Sequence, residues 1–123
     1  MVKVLIVGIN PSGNSGKSKT LARLYKWMED IKVKLFSFTN TIHTPGVYKN
    51  KDIDYNYLNN CCKGYEKVVA LGNFASTALT RINIPHYTLP HPSPLNRKLN
   101  DKVFEANQLK SVAEYIHGTN PIL

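Results

Sequence analysis

Two polar side chains stand in loops whose prolines restrict them. In Gly8-Ile9-Asn10-Pro11-Ser12-Gly13 the proline disfavours the helical conformation at Asn10, so its carboxamide is held in an extended turn beyond an apolar run. An amide oxygen takes up no proton, but it accepts a hydrogen bond from water and can fix that water in line for attack. The second loop reads Leu89-Pro90-His91-Pro92-Ser93-Pro94-Leu95-Asn96. Its alternating prolines push Leu89, His91 and Ser93 toward extended geometry and stiffen the segment, which lowers the ordering cost of binding. The N–H groups of His91, Ser93 and Leu95 remain donors for phosphate oxygens, and His91 is a donor for a developing oxyanion.

Loops of this kind need strands to hold them. Val2 to Val7 is a continuous β-branched and aliphatic run closed by Gly8, the pattern of a strand buried on both faces. After the polar turn from Asn10 to Gly16, the spacing of Ser18, Leu21, Leu24, Tyr25 and Met28 predicts an amphipathic helix. Lys34 to Thr39 alternates as a second strand, and His43 to Asn56 has the composition of a loop. Tyr57 to Tyr65 reads as a short helix, Lys67 to Leu71 as a third strand ending at Gly72, and Phe74 to Arg81 as a third helix. Ile84 to Leu89 makes a fourth strand. A last helix runs from Val103 to Ile116 with Val103, Ala106, Leu109, Val112, Ala113 and Ile116 on its apolar side, and the tail from Gly118 to Leu123 is expected to fray. Strands alternating with helices imply an α/β fold, a parallel four-stranded sheet covered on both faces, with ligands outside the carboxyl ends of the strands. The loops after Gly8, Asn40 and Leu89 converge there.

The composition narrows the partners. With 123 residues, 42% hydrophobic and 20% charged, the chain fits one domain spanning 1–123, and its longest apolar run, Val4 to Val7, is far too short to span a bilayer. The N-terminus lacks a signal-peptide pattern, so the expected location is the cytoplasm, and the expected state a monomer. Sixteen Lys and Arg against eight Asp and Glu leave a net charge of +8, which favours an anionic partner. Most of the cations are Lys, which suits point contacts to phosphate more than forked recognition of base edges. Cys61 and Cys62 are adjacent, so they supply neither a disulfide framework nor a four-ligand metal site. They read as one buried and one partly exposed thiol, and no metal or cofactor is implied.

Together, Gly8-Ile9-Asn10-Pro11-Ser12 and His91-Pro92-Ser93-Pro94-Leu95-Asn96 resemble the two signature motifs of the uracil-DNA glycosylase superfamily. The first is similar to the forms of the mismatch-specific and single-strand-selective branches, and the second to that of the classical and single-strand-selective enzymes. Phe38-Thr39-Asn40-Thr41 followed by Pro45-Gly46 resembles the segment whose Asn reads the uracil edge, and Val68-Val69-Ala70-Leu71-Gly72-Asn73-Phe74-Ala75 resembles a strand and helix start of the iron–sulfur branch, without its cluster cysteines. The resemblance implies a three-layer α/β/α domain that excises uracil from single-stranded or mismatched DNA. Asn10 would position the hydrolytic water at C1′ of a flipped deoxyuridine, and His91 would donate to uracil O2 as charge develops. Asn40 would pair with uracil N3–H and O4, while Gly8, Ile9, Pro11 and Ser12 would complete the base pocket. Leu95 would wedge into the space left by the base. Ser93, Pro94, Asn96, Arg97, Lys98, Lys17 and Lys19 would lie along the DNA backbone. Such chemistry passes through an oxocarbenium-like sugar and needs a placed water and help for a leaving anion more than a strong base. Asn10 and Ser12 replace the Asp and Tyr of the classical branch. With no aromatic between Ile9 and Leu24, a stacking ring would have to come from Phe36, Phe38, Tyr25 or Tyr48.

Two other readings start from the same residues. One is a DNA-binding or decoy protein on the same fold, without catalysis. The other is a nucleotide phosphotransferase, from Gly13-Asn14-Ser15-Gly16-Lys17-Ser18 before a helix start. The phosphate-loop pattern fails at its first residue, where Pro11 stands in place of Gly, and no strand ends in an Asp placed for magnesium.

Overall fold

The computed structural model describes residues 3–9, 19–43, 49–92 and 96–118. Four parallel strands form the centre: β1 (Val4–Gly8), β2 (Phe36–Asn40), β3 (Lys67–Leu71) and β4 (Tyr87–Leu89), in spatial order β2-β1-β3-β4. The inner strands β1 and β3 carry the continuous apolar runs because a strand with neighbours on both sides and helices on both faces has no solvent-facing side. All five residues of β1 are buried, and Val68 to Leu71 of β3 likewise. The edge strand β2 exposes Ser37 and Phe38.

Successive residues of β1 feed two separate cores. Val4 and Ile6 pack with Leu24, Trp27 and Met28 of α1 (Lys19–Asp30), with Ile31 just after it, and with Val112 and Ile116 of α4 (Lys102–His117). Leu5 and Val7 pack on the opposite face with Leu58 and Cys62 of α2 (Tyr55–Cys62) and with Ala75, Ala78 and Leu79 of α3 (Gly72–Arg81). Helices therefore cover both faces of the sheet, as expected for an all-parallel sheet, and the layering agrees with three layers. Cys62 is buried and Cys61 partly exposed, as read from the sequence, and burial pushes the Cys62 thiol up to about 11.

Several local expectations shift. In α1 the core stripe is Leu24, Trp27 and Met28, continued by Ile31 beyond its end, while Tyr25 is 58% exposed. Trp27 is drawn inward because its indole N–H finds a partner, donating to Glu105 of α4 at 3.0 Å. In α4, Val103 is 70% exposed and Phe104 packs against the core instead. Asp101 sets this phase: its carboxylate accepts from the N–H of Val103 and Phe104 at 3.0 and 3.1 Å and caps the helix. β4 is three residues long, not six. Pro85 lacks a ladder donor, and the His86 ring turns to Ile84 O and Ser76 Oγ, each at 2.8 Å. The stretch from His43 to Asn56 holds a 3₁₀ turn (Asn50–Asp52) and a buried Ile53, and α2 begins two residues earlier than expected because Asp54 accepts from Tyr57 N. α3 starts directly at Gly72. No helix among the described residues is long and apolar enough to cross a membrane.

Candidate functional site

The carboxyl ends of the four strands bring Gly8, Asn40, Gly72 and His91 to one edge of the sheet. Gly8 pairs with Asn40 as the last rung of the β1–β2 ladder, and Leu71 pairs with Leu89 as the last rung of β3–β4. With strands about 4.8 Å apart, β2 and β4 stand about 14 Å from each other, separated by the ends of β1 and β3.

Two glycines allow close approaches here. A Cβ at Gly8 would stand 2.9 Å from Asn40 Oδ1 and 3.0 Å from Phe38 Cζ, both too close for an unshifted structure. Gly8 therefore makes room for the carboxamide and the ring on the neighbouring strand. Phe38 is 38% exposed at this edge, and of the four candidate stacking aromatics it is the one shown against Gly8. Gly72 has φ +86, a left-handed conformation that glycine adopts without a Cβ penalty, and a Cβ there would meet His91 Cβ at 3.4 Å and Cδ2 at 3.8 Å. That conformation lets β3 turn straight into α3 beneath the imidazole.

Asn40 Oδ1 is buried and has no hydrogen-bond partner among the described residues. Buried carboxamide oxygens in folded proteins are nearly always paired, so this acceptor is an exception at the end of a strand. Beside it, Thr41, fully buried, donates from Oγ1 to Ile9 O at 2.8 Å, while Thr41 N donates to Gly8 O and Ile42 N to Ile9 O at 3.0 and 2.9 Å. These bonds extend the β1–β2 register past the last strand residue and fix where the chain leaves toward Asn10.

His91 is half-buried, and loss of water around the ring lowers its pKa below the usual histidine value, which favours the neutral imidazole at pH 7. Its backbone is held from the far end of the loop: Asn96 Nδ2 donates to His91 O at 3.0 Å, while Asn96 Oδ1 accepts from Lys98 N at 3.2 Å. Pro92 and Leu99 are buried on either side of this clamp. Arg97 and Lys98 are exposed in the 3₁₀ turn (Arg97–Asn100), and neither has an ion-pair partner among the described residues.

Among the expected site residues, Gly8, Ile9, Asn40 and His91 thus share the carboxyl edge, with Asn96, Arg97 and Lys98 beside it. Asn10, Pro11, Ser12, Lys17, Ser93, Pro94 and Leu95 lie outside the described residues, as does the phosphate-loop-like segment 13–18; Lys19 is the first residue of α1. Asn96 has a use that sequence reasoning missed, since its carboxamide closes the loop that carries His91. Gly72 and Thr41 were missed as well. A Gly directly between a buried strand and a helix start was the available signal for the first; nothing in the pattern pointed to the second. No group of three or more His, Cys, Asp or Glu suited to a metal ion occurs among the described residues. Compared with known proteins, the chain matches no family model and no curated protein.

Proposed function

We propose that the protein is a uracil-DNA glycosylase that hydrolyses the N-glycosidic bond of a flipped deoxyuridine, acting on uracil in single-stranded or mismatched DNA. The observation that carries this reading is the buried Oδ1 of Asn40, packed over Gly8 and without a partner among the described residues. An acceptor held in that state is matched to a ligand N–H. Uracil offers one at N3 beside the O4 acceptor, so a carboxamide pairs with both; cytosine presents a lone pair at N3 and a donor at position 4, and leaves the oxygen unsatisfied.

The remaining residues supply the rest of the chemistry. As the glycosidic bond breaks, the electron pair passes to the base, and a neutral His91 donates a hydrogen bond to uracil O2 without placing a cation in the pocket. The Asn10 carboxamide, two residues beyond Gly8, positions the water that adds to C1′; the water's proton leaves to solvent and the base departs as uracil. Phe38 supplies a ring at the mouth of the pocket. Arg97 and Lys98 meet the flanking phosphates, and Asn96 holds the turn that carries them. The protein works as a monomer in the cytoplasm and needs no cofactor.

The test uses uracil-containing single- and double-stranded oligonucleotides, with abasic products cleaved by alkali. Strand breaks at uracil are expected, and they should disappear in Asn10→Ala and His91→Ala. Salt-sensitive retention on DNA with no uracil released, at enzyme excess and low salt, would instead identify a binding protein on this fold.

A further inference from the structure

At the opposite end of the sheet, a cavity of about 500 Å³ opens across the start of β1. Lys3 precedes β1, Lys34 and Leu35 precede β2, Phe36 and Ser37 begin it, and Gly64 and Tyr65 come from the turn before β3. β1 is five residues long, so this cavity is about 16 Å from the edge that carries Asn40 and His91. A base held at that edge does not reach it.

The electrostatics of this cavity differ from those of a second one between α1 and α4. In the second cavity, of about 360 Å³, two of the three lining cations are neutralised locally: Lys26 pairs with Asp30 and Lys102 with Glu105, each at 3.6 Å. The cavity at the start of β1 has no carboxylate in its lining among the described residues, and neither Lys3 nor Lys34 has an ion-pair partner among them. Glu66 is tied there through its backbone, its N–H donating to Lys3 O at 3.1 Å. Two unneutralised ammonium groups, one just before β1 and one just before β2, with Ser37 in the same lining, suit a doubly charged oxyanion better than a single carboxylate. Lysine favours phosphate as a point charge. The other walls are apolar: Leu35 is 53% exposed and Tyr65 lines the side toward β3, while the Phe36 ring turns to the α1 face of the sheet against Tyr25. Volume and lining fit a small ligand with one planar ring and one charged end.

We propose that this cavity binds a 5′-phosphorylated nucleotide unit, with the phosphate between Lys3 and Lys34 and the base against Leu35 and Tyr65. A free mononucleotide and the 5′-phosphorylated end of a strand present the same chemistry, and the test separates them. Backbone amide NMR of the full chain is recorded during titration with uridine 5′-monophosphate, adenosine 5′-monophosphate, uridine, inorganic phosphate, and a trinucleotide with and without its 5′-phosphate. Saturable shifts of the Ser37 and Gly64 amides are expected below about 1 mM of a phosphorylated ligand, with uridine and inorganic phosphate at least about tenfold weaker. Lys3→Glu and Lys34→Glu should each weaken binding at least about tenfold; Lys110→Glu, remote from the cavity, should leave it unchanged. Binding of the phosphorylated trinucleotide without that of the mononucleotides assigns the ligand to strand ends, and the converse assigns it to free nucleotides. Equal affinity for uridine or inorganic phosphate, equal losses in Lys110→Glu, or no shift at these amides with any phosphorylated ligand overturns the proposal. Since no excision is measured, an inactive glycosylase leaves this result standing, and a silent cavity leaves the excision assay standing.

Discussion

At the scale of single residues, Asn40 and His91 are held in states that cost the free protein something. The Asn40 oxygen is buried without a donor among the described residues, which costs about 1–3 kcal/mol relative to a satisfied group. Asn40→Ala should therefore lower uracil excision by at least about tenfold while the melting temperature holds or rises, since relief of the orphan acceptor offsets the reduced packing. A fall in both would mean that the side chain is structural. For His91, the folded pKa lies below the unfolded value because burial disfavours the imidazolium. The unfolded chain then binds more protons as pH falls, so the contribution of this residue is fully present above the unfolded value and is lost as pH drops through the folded one. Melting temperatures measured from pH 7.5 to 5 should fall more steeply for wild type than for His91→Gln. NMR titration of the ring should place its midpoint below about 6.5, the ordinary value. Parallel melting curves for the two proteins would remove that account.

At the scale of elements, the junction between β3 and α3 governs the position of the imidazole. Gly72 turns the chain at φ +86 with His91 directly over it, and α3 has no side-chain cap at Leu71. Gly72→Ala should destabilise the fold by about 1–2 kcal/mol, the cost of a left-handed non-glycine residue. It should also reduce kcat of the proposed excision more than KM, because the methyl group pushes on the His91 Cβ and leaves the Arg97–Asn100 turn alone. Denaturant melts and steady-state kinetics on one oligonucleotide measure the two effects. At the other edge strand, the bonds from Thr41 and Ile42 to Gly8 and Ile9 lengthen the β1–β2 ladder where β1 would otherwise end. The loop after β1 therefore leaves at Gly8 with hydrogen bonds just beyond it, while the loop after β4 is seated by His91 against Gly72 at the neighbouring strand end.

At the scale of the molecule, the net charge of +8 sets how the protein meets a polyanion. Binding to a DNA strand should weaken steeply between about 50 and 200 mM salt as condensed counterions compete. Arg97→Glu with Lys98→Glu should flatten the slope of log affinity against log salt by about two, one for each phosphate that is no longer neutralised. An unchanged slope would move the DNA off the carboxyl edge. The three-residue β4 at the sheet margin and the polar, exposed positions of β2 leave the outer strands thin, while the two cores on β1 and β3 hold the helices in place.

By itself, the order of residues determined the alternation of strands and helices, the burial of both inner strands on both faces, and the identity of the loops with unusual chemistry. These follow from local rules: an apolar run without alternation has to be covered twice, and proline restricts its neighbours wherever it stands. The phase of α1, the shortening of β4 and the start of α3 at Gly72 were decided by partners outside the local segment: Glu105 reaching Trp27, Ser76 reaching His86, and His91 lying on Gly72; α4 takes its phase from its own cap at Asp101. The same holds for the site. Asn40 and His91 were legible as candidates from type and flanking residues, but an acceptor stranded over Gly8, and a loop closed by Asn96 onto His91 O, depend on distances that no local pattern carries. Only the packing of parallel strands, which brings four distant chain segments to one edge, decides which polar groups share that edge.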